Sequence, residues 1–210
     1  MAYGFLDIAI TPSVQAAQVA MGVDALWTDF RGHRAFDRFD DRERAFIADR
    51  DSFYIASTSE TGWPYVQHRG GPRGFLKVLD DRTLAFADYR GNRQYLSLGN
   101  INADGRVCLF LMDYARRARL KVFAKAEALT PETDPALTAA VTVPGYKAVI
   151  ERVFRLTLEA FDWNCSQHIT PRFTEEEIAI AVAPLQERLA RAEAENEALH
   201  MQLAKETDHG

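Results

Sequence analysis

The sequence predicts a mainly β chain: an antiparallel barrel edged by peripheral helices and extended by a helical tail. Three observations point there. Short runs that alternate apolar and polar side chains recur through the middle of the chain, joined by turn residues, as in Phe53 to Thr58 before Thr61-Gly62. Helical periodicity is confined to short stretches before and between those runs. From Thr174 onward the composition shifts to Ala, Glu, Arg and Leu, with apolar residues spaced alternately by four and three. The chain therefore divides into a helical segment (1–50), a barrel (51–173) and a tail (174–210).

Composition sets the outer limits. At 210 residues, 47% hydrophobic and 26% charged, the chain can bury a sizeable core. A net charge of −5 argues against nucleic acid or an anionic membrane as partner, so a basic cluster here is a local site. Cys108 and Cys165 do not make a disulfide framework, and a reduced, cytoplasmic setting is expected. No apolar run approaches a membrane span, and no signal peptide is recognised at the start.

Taken in order, Thr11-Pro12 opens a helix that runs to about Met21 and stops near Gly22. Asp40 and Glu43 form a capping-box pattern for a second helix through Ala48, and His33 in the connector between them is expected at the surface. Asp51 to Thr58 and Trp63 to Gln67 make a hairpin around Thr61-Gly62. A glycine-rich basic corner follows, His68-Arg69-Gly70-Gly71-Pro72-Arg73-Gly74, where cations and backbone N–H groups are expected to converge on an anion. Phe75 to Leu79 and Thr83 to Ala87 flank a second hairpin at Asp80-Asp81-Arg82. Arg90-Gly91-Asn92-Arg93-Gln94 leads into a helix carrying Tyr95, Leu96, Leu98 and Ile101, whose N-terminal dipole favours an anion. Val107 to Tyr114 and Arg119 to Leu129 read as strands, Pro135 to Ile150 as a helix interrupted at Pro144-Gly145, and Arg152 to Trp163 as the last strand. In the tail, Ile178, Val182, Leu185, Leu189, Ala192, Asn196, Leu199 and Leu203 have the spacing of the a/d seam of a two-stranded parallel coiled coil, the expected arrangement, with an amphipathic helix lying on its own barrel as the alternative. Asn196 falls at an a position, and Arg188 and Glu193 at g and e.

Four segments carry a resemblance: RDSFYIASTSETGWPYVQHRGGP, FADYRGNRQYLSLGNI, LFLMDYARRARLKV and FDWNCSQHITPRF. With them the chain from Gly4 to Phe173 resembles the pyridoxamine 5′-phosphate oxidase-like FMN-binding split barrels, in particular their predicted flavin-nucleotide-binding branch. That resemblance implies an antiparallel split β-barrel, FMN as cofactor, and a homodimer with flavin sites at the subunit interface. It places Asn92, Arg93 and Gln94 on the FMN phosphate, where Asn and Gln stand in for the Ser and Lys of the family pattern. It lines the isoalloxazine ring with Gln67, His68, Arg69 and Gly70, although strand alternation aims Gln67 and Arg69 to one face and His68 to the other. It sends Arg119 and Lys121, with Arg117, toward the flavin from the partner subunit.

The segment from Asp162 to Arg172 is the branch's own signature, expected to close the substrate side of the pocket through Trp163, Cys165, Gln167, His168 and Arg172. Cys165 and His168 have the spacing of half a zinc site, but no second Cys/His pair completes it, so no metal is expected. The family's Arg-x-His substrate element is not found, so pyridoxamine phosphate oxidation is not inherited. The expected activity is an FMN-dependent oxidoreductase acting on a small molecule. The alternatives are a flavin-binding or sensor protein without turnover, and the same barrel holding deazaflavin or haem.

Overall fold

The computed structural model describes residues 4–28, 36–163 and 167–207. The chain falls into two units, one of residues 1–113 and 117–169, the other of 114–116 and 170–210.

Among the described residues, four helices precede the sheet: α1 (Phe5–Ala9), α2 (Pro12–Ala20), α3 (Asp24–Thr28) and α4 (Asp41–Ala48). Two start as the sequence predicts. Val14 N donates to Thr11 Oγ1 at the head of α2, and Asp40 with Glu43 closes a capping box on α4. The sequence reading did not include α1 or α3. Both are five residues long, too short for periodicity to register. His33 lies outside the described residues.

The strands are β1 (Ser52–Thr58), β2 (Pro64–Gly70), β3 (Lys77–Val78), β4 (Thr83–Tyr89), β5 (Arg106–Asp113), β6 (Ala118–Leu129) and β7 (Ile150–Trp163). Helix α5 (Leu96–Ala103) precedes β5, and α6 (Pro135–Val141) precedes β7. They form one sheet, ordered β2-β1-β5-β6-β7-β4-β3, with antiparallel neighbours throughout. The sheet curls on itself. Phe53 of β1 packs edge-on against Phe86 of β4 at 5.2 Å, although β5, β6 and β7 lie between those strands in the sheet. Arg69 of β2 reaches Asp88 of β4 in the same way. The result is the antiparallel split barrel that the resemblance implies.

Alternation fills its interior. Val107, Leu109 and Leu111 from β5, Leu120 and Val122 from β6, and Phe154, Leu156 and Leu158 from β7 are all buried in one core with Phe46 and Ile47 of α4. Strand β4 departs from alternation because both of its faces are covered. Leu84 and Phe86 join the main core, while Ala85 and Ala87 pack with Leu137 and Val141 of α6.

Several boundaries differ from the sequence reading. β2 continues through Gly70, so His68 and Arg69 are strand residues and not a corner. Phe75 and Leu76 are buried, yet only Lys77 and Val78 pair as strand. α6 ends at Val141, well before Pro144-Gly145, and β7 begins at Ile150, not Arg152.

In the second unit, α7 (Glu175–Thr207) is one helix of 33 residues. Thr174 and Glu177 cap it reciprocally: Glu177 N donates to Thr174 Oγ1 at 3.2 Å, and Thr174 N to Glu177 Oε2 at 2.8 Å.

Candidate functional site

The residues that gather around one cleft come from β2, β4, the β4–α5 turn, the start of α5 and the start of β7. Gln67, Arg69, Asp88, Tyr89, Asn92, Arg93, Tyr95, Ser97, Glu151 and Arg152 all contribute to its wall, around a cavity of about 150 Å³. The alternation of β2 selects its contribution. Gln67 and Arg69 turn inward, while His68 turns outward and packs edge-on against Tyr54 at 5.5 Å.

Buried ion pairs organise the floor. Asp88 is 5% exposed and takes Arg69 on one carboxylate oxygen and Arg152 on the other. A register shift follows: Asp88 faces Arg152, but Tyr89 faces Ile150, leaving Glu151 as the extra residue of a bulge. Consecutive strand residues normally point to opposite faces, yet Glu151 and Arg152 both line the cleft. The bulge is what allows it.

The turn into α5 is unusual in its backbone. Arg93 and Tyr95 both adopt positive φ, 60° and 55°, a left-handed conformation uncommon outside glycine. Asn92 Oδ1 accepts Gln94 N at 3.1 Å, so Asn92 shapes the turn and does not cap the helix; α5 starts with no side-chain cap. Arg90 Nε donates to Glu151 Oε1 at 3.0 Å, and Arg93 Nε lies 3.7 Å from the same oxygen. Ser97 Oγ donates to Gln67 Oε1 at 2.7 Å, tying α5 to β2.

Two buried polar atoms of the cleft residues have no hydrogen-bond partner among the described residues: Arg69 Nε and the Tyr89 hydroxyl. Burial, with a smaller contribution from Tyr146, pushes the Tyr89 phenol above its ordinary value and so keeps it a proton donor. Guanidinium groups, a phenol and an amide around one small cavity suit an anionic, oxygen-rich ligand group.

The glycine-rich corner does something else. A Cβ on Gly71 would meet Phe75 at 2.7 Å, and Gly74, at φ +73°, sits against the Ala48 carbonyl. The N–H groups of Gly71 and Gly74 donate to the Asp51 and Arg50 carbonyls, and Arg73 pairs with Asp49. The corner is a packing device whose Gly71 and Gly74 N–H groups are taken by backbone carbonyls, while Arg69 enters the cleft. Gly70 and Gln94 are not among the residues lining that cleft.

The second basic group lies elsewhere. Lys121 pairs with Asp162 at 2.9 Å, and its ammonium sits 4.6 Å from the Phe5 ring centroid. Arg119 lies over Phe110 at 5.3 Å, and Arg117 is exposed in the β5–β6 turn at φ 52°. Leu120, between Arg119 and Lys121, is registered opposite Trp163. Trp163 itself donates to Glu43 Oε1 at 2.6 Å and packs on Phe46. Trp163 ends β7, with Leu120 and Lys121 of β6 paired to its last residues, and Glu151 is near the start of β7, roughly 40 Å of strand path away at about 3.3 Å per residue. Within one chain, Trp163, Arg119 and Lys121 therefore do not wall the cleft. Gln167 and His168 are exposed beyond β7, His168 at φ 63°. Arg172, in the second unit, lies over Tyr114 at 5.0 Å, and Cys165 falls outside the described residues. Cys108 is half-buried on the outward face of β5, where burial raises its thiol and nearby Lys121 opposes that.

Asp88, Glu151, Arg152, Tyr95 and Ser97 were not singled out from the sequence as site residues. One signal was present: Asp88 interrupts the apolar Leu84 to Ala87 run, and a carboxylate there needs a buried partner.

The fold is an antiparallel split barrel, and its cleft is walled by Arg69, Arg93 and Arg152. The chain belongs to the pyridoxamine 5′-phosphate oxidase family, whose model matches residues 39–158. No curated protein matches it. Among solved structures it is similar to HupZ of Group A Streptococcus, at 16% identity over 64% of this chain and 100% of that one, with a TM-score of 0.48. It is also similar to a Clostridium acetobutylicum protein related to general stress protein 26 (14% identity, 65% and 94% covered, TM-score 0.44). An FMN-binding protein of Syntrophomonas wolfei is a third (13% identity, 70% and 97% covered, TM-score 0.43).

Proposed function

We propose that this chain is an FMN-dependent oxidoreductase acting on a small molecule, with the FMN phosphate held in the arginine cleft. The observation that carries the reading is the cleft's donor set: Arg69, Arg93 and Arg152 in its wall, with Arg69 Nε and the Tyr89 hydroxyl buried and unmatched among the described residues. Arg93 and the left-handed turn around it supply the phosphate donors, assisted by the uncapped start of α5. Ser97 fixes the Gln67 carbonyl, which leaves the Gln67 amide nitrogen as the donor offered to the ring. FMN, when bound, supplies one- and two-electron transfer.

The cavity bears on assembly. Ligand pockets usually run from about 300 Å³ upward, and this cleft of about 150 Å³ holds only part of a flavin nucleotide. In our reading a second copy completes the site, bringing Arg119 and Lys121 to the ring from the other subunit. The surface for that contact is the outward face of β1 and β2, where Val66 is 59% and Trp63, in the turn, 76% exposed.

Titration with FMN, followed by the flavin's visible spectrum, tests the reading. Arg93→Ala should weaken binding by about 1.5–3 kcal/mol, the scale of one lost charge-assisted hydrogen bond. Unchanged affinity would remove the phosphate from this cleft. Anaerobic addition of NADH or NADPH should then bleach the bound flavin, and a flavin that binds but never cycles would mark a binding or sensor protein instead.

A further inference from the structure

The two carboxylates of the cleft are held very differently. Asp88 is locked between Arg69 and Arg152, whose side chains are themselves mostly buried. Glu151 instead faces the mobile-length side chains: Arg90 at 3.0 Å and Arg93 at 3.7 Å, which are 48% and 56% exposed. The Tyr95 hydroxyl donates to the same Glu151 oxygen at 3.4 Å, and Arg152 lies 3.5 Å from the other. A carboxylate thus occupies the centre of a group of donors that would equally suit a phosphate oxygen.

Its placement is built into the fold. Only the bulge opposite Asp88 and Tyr89 turns Glu151 to the same side as Arg152. Burial pushes the Glu151 carboxyl up, but hydrogen bonds from Arg90 and Tyr95 and the charges of Arg152 and Arg90 outweigh it and hold the carboxyl below its ordinary value. The group is ionised at neutral pH. Four arginines (Arg69, Arg90, Arg93 and Arg152) against two carboxylates leave two positive charges, which a phosphomonoester dianion would balance.

We propose that Glu151 is a resident counter-ion that an incoming phosphomonoester displaces from Arg90 and Arg93, and that it thereby sets the cleft's affinity for phosphate. The inference rests on reading the cleft as the phosphate site. Without a ligand, Glu151 offsets the mutual repulsion of the arginines. With one, its charge opposes the phosphate, so binding requires Arg90 and Arg93 to exchange one anion for another. Asp88 takes no part in this exchange, because both of its oxygens stay engaged on the floor.

The test compares wild type, Glu151→Gln and Glu151→Ala by titration with FMN and with riboflavin, which lacks the phosphate. Both variants should bind FMN roughly fivefold more tightly, the scale of one partly exposed charge interaction, and riboflavin unchanged. The gain should shrink as salt is raised. A readout without flavin runs alongside: inorganic phosphate should raise the melting temperature of either variant more than that of wild type. FMN affinity that is unchanged or weaker, or an equal gain for riboflavin, overturns the proposal. So does failure of both variants to fold with phosphate present, since Glu151 would then be structural. Arg93→Ala separates the two levels of the argument. If it leaves FMN affinity intact, the phosphate site itself is wrong; if it weakens FMN while the Glu151 variants gain nothing, only the counter-ion role fails.

Discussion

Asp88, on β4, ties the β2 edge of the curled sheet to β4 and β7 near its other edge. Its carboxylate joins Arg69 on β2 to Arg152 on β7, and the Arg69 guanidinium also lies 5.7 Å from the Phe154 ring centroid. Removing the carboxylate leaves the largely buried Arg69 guanidinium without its anion and Arg152 with only Glu151, 3.5 Å away. Breaking a buried pair costs about 3–5 kcal/mol, and the residual exposure of both arginines brings the expectation for Asp88→Ala down to about 2–4 kcal/mol. Urea unfolding followed by tryptophan fluorescence measures it. A loss under about 1 kcal/mol would mean that both arginines swing into water and the tie is not needed.

At the scale of elements, β7 and α7 depart from regularity in opposite ways. The β7 bulge gathers two adjacent side chains into one cleft, so an irregularity there serves the site. In α7 the irregularity is Pro184, which has no N–H to donate to Ile180 and lies between the seam residues Val182 and Leu185. The helix nevertheless runs unbroken from Glu175 to Thr207, with Ile178, Leu185, Leu189, Leu199 and Leu203 exposed. Helices draw most of their stability from packing an apolar face, and a row of exposed leucines at heptad spacing suits a second copy of itself. We therefore expect parallel pairing through this seam, strengthened by tethering to a dimeric barrel. Asn196→Leu should raise the melting temperature, because an a-position asparagine trades stability for register. Deleting 174–210 should lower the melting temperature or change the oligomer size while leaving the flavin spectrum intact. No response to Asn196→Leu would place that residue in solvent, and loss of flavin on deletion would make the tail part of the site.

Across the whole molecule, the two groups of basic residues sit at opposite ends of β7. Arg93 belongs to the cleft at the start of that strand, and Lys121 pairs with Asp162 near its end. If a flavin contacts both, they come from different chains. Arg93→Ala and Lys121→Ala should each lose flavin affinity as homodimers. Mixed and re-associated, the two should regain one intact site per heterodimer, since one pairing of chains carries both mutations and the other carries neither. Flavin binding that never recovers on mixing, with heterodimers demonstrated by mass, would rule out the shared site.

The sequence by itself determined the elements whose causes are local. Thr11-Pro12 and Asp40 with Glu43 announce helices because capping is settled within four residues. The Phe53 to Thr58 alternation and Gly62, at φ +86°, announce a hairpin for the same reason. Asn92 and Arg93 were legible as site candidates because a basic turn before a helix is written in consecutive residues, whereas Gln67 and Arg69 became candidates through the family resemblance and strand alternation only put them on one face. Tertiary structure alone decided the rest. Only curling of the sheet brings Asp88 to Arg69, nineteen positions earlier, and only the pairing of β4 with β7 brings it to Arg152, sixty-four later. Only the register of β4 against β7 makes Glu151 a bulge residue, because a one-residue slip is invisible until the two strands pair. The glycines at 71 and 74 looked like ligand residues and proved to be packing residues, since what a missing Cβ makes room for is set by Phe75 and Ala48 and not by the glycine.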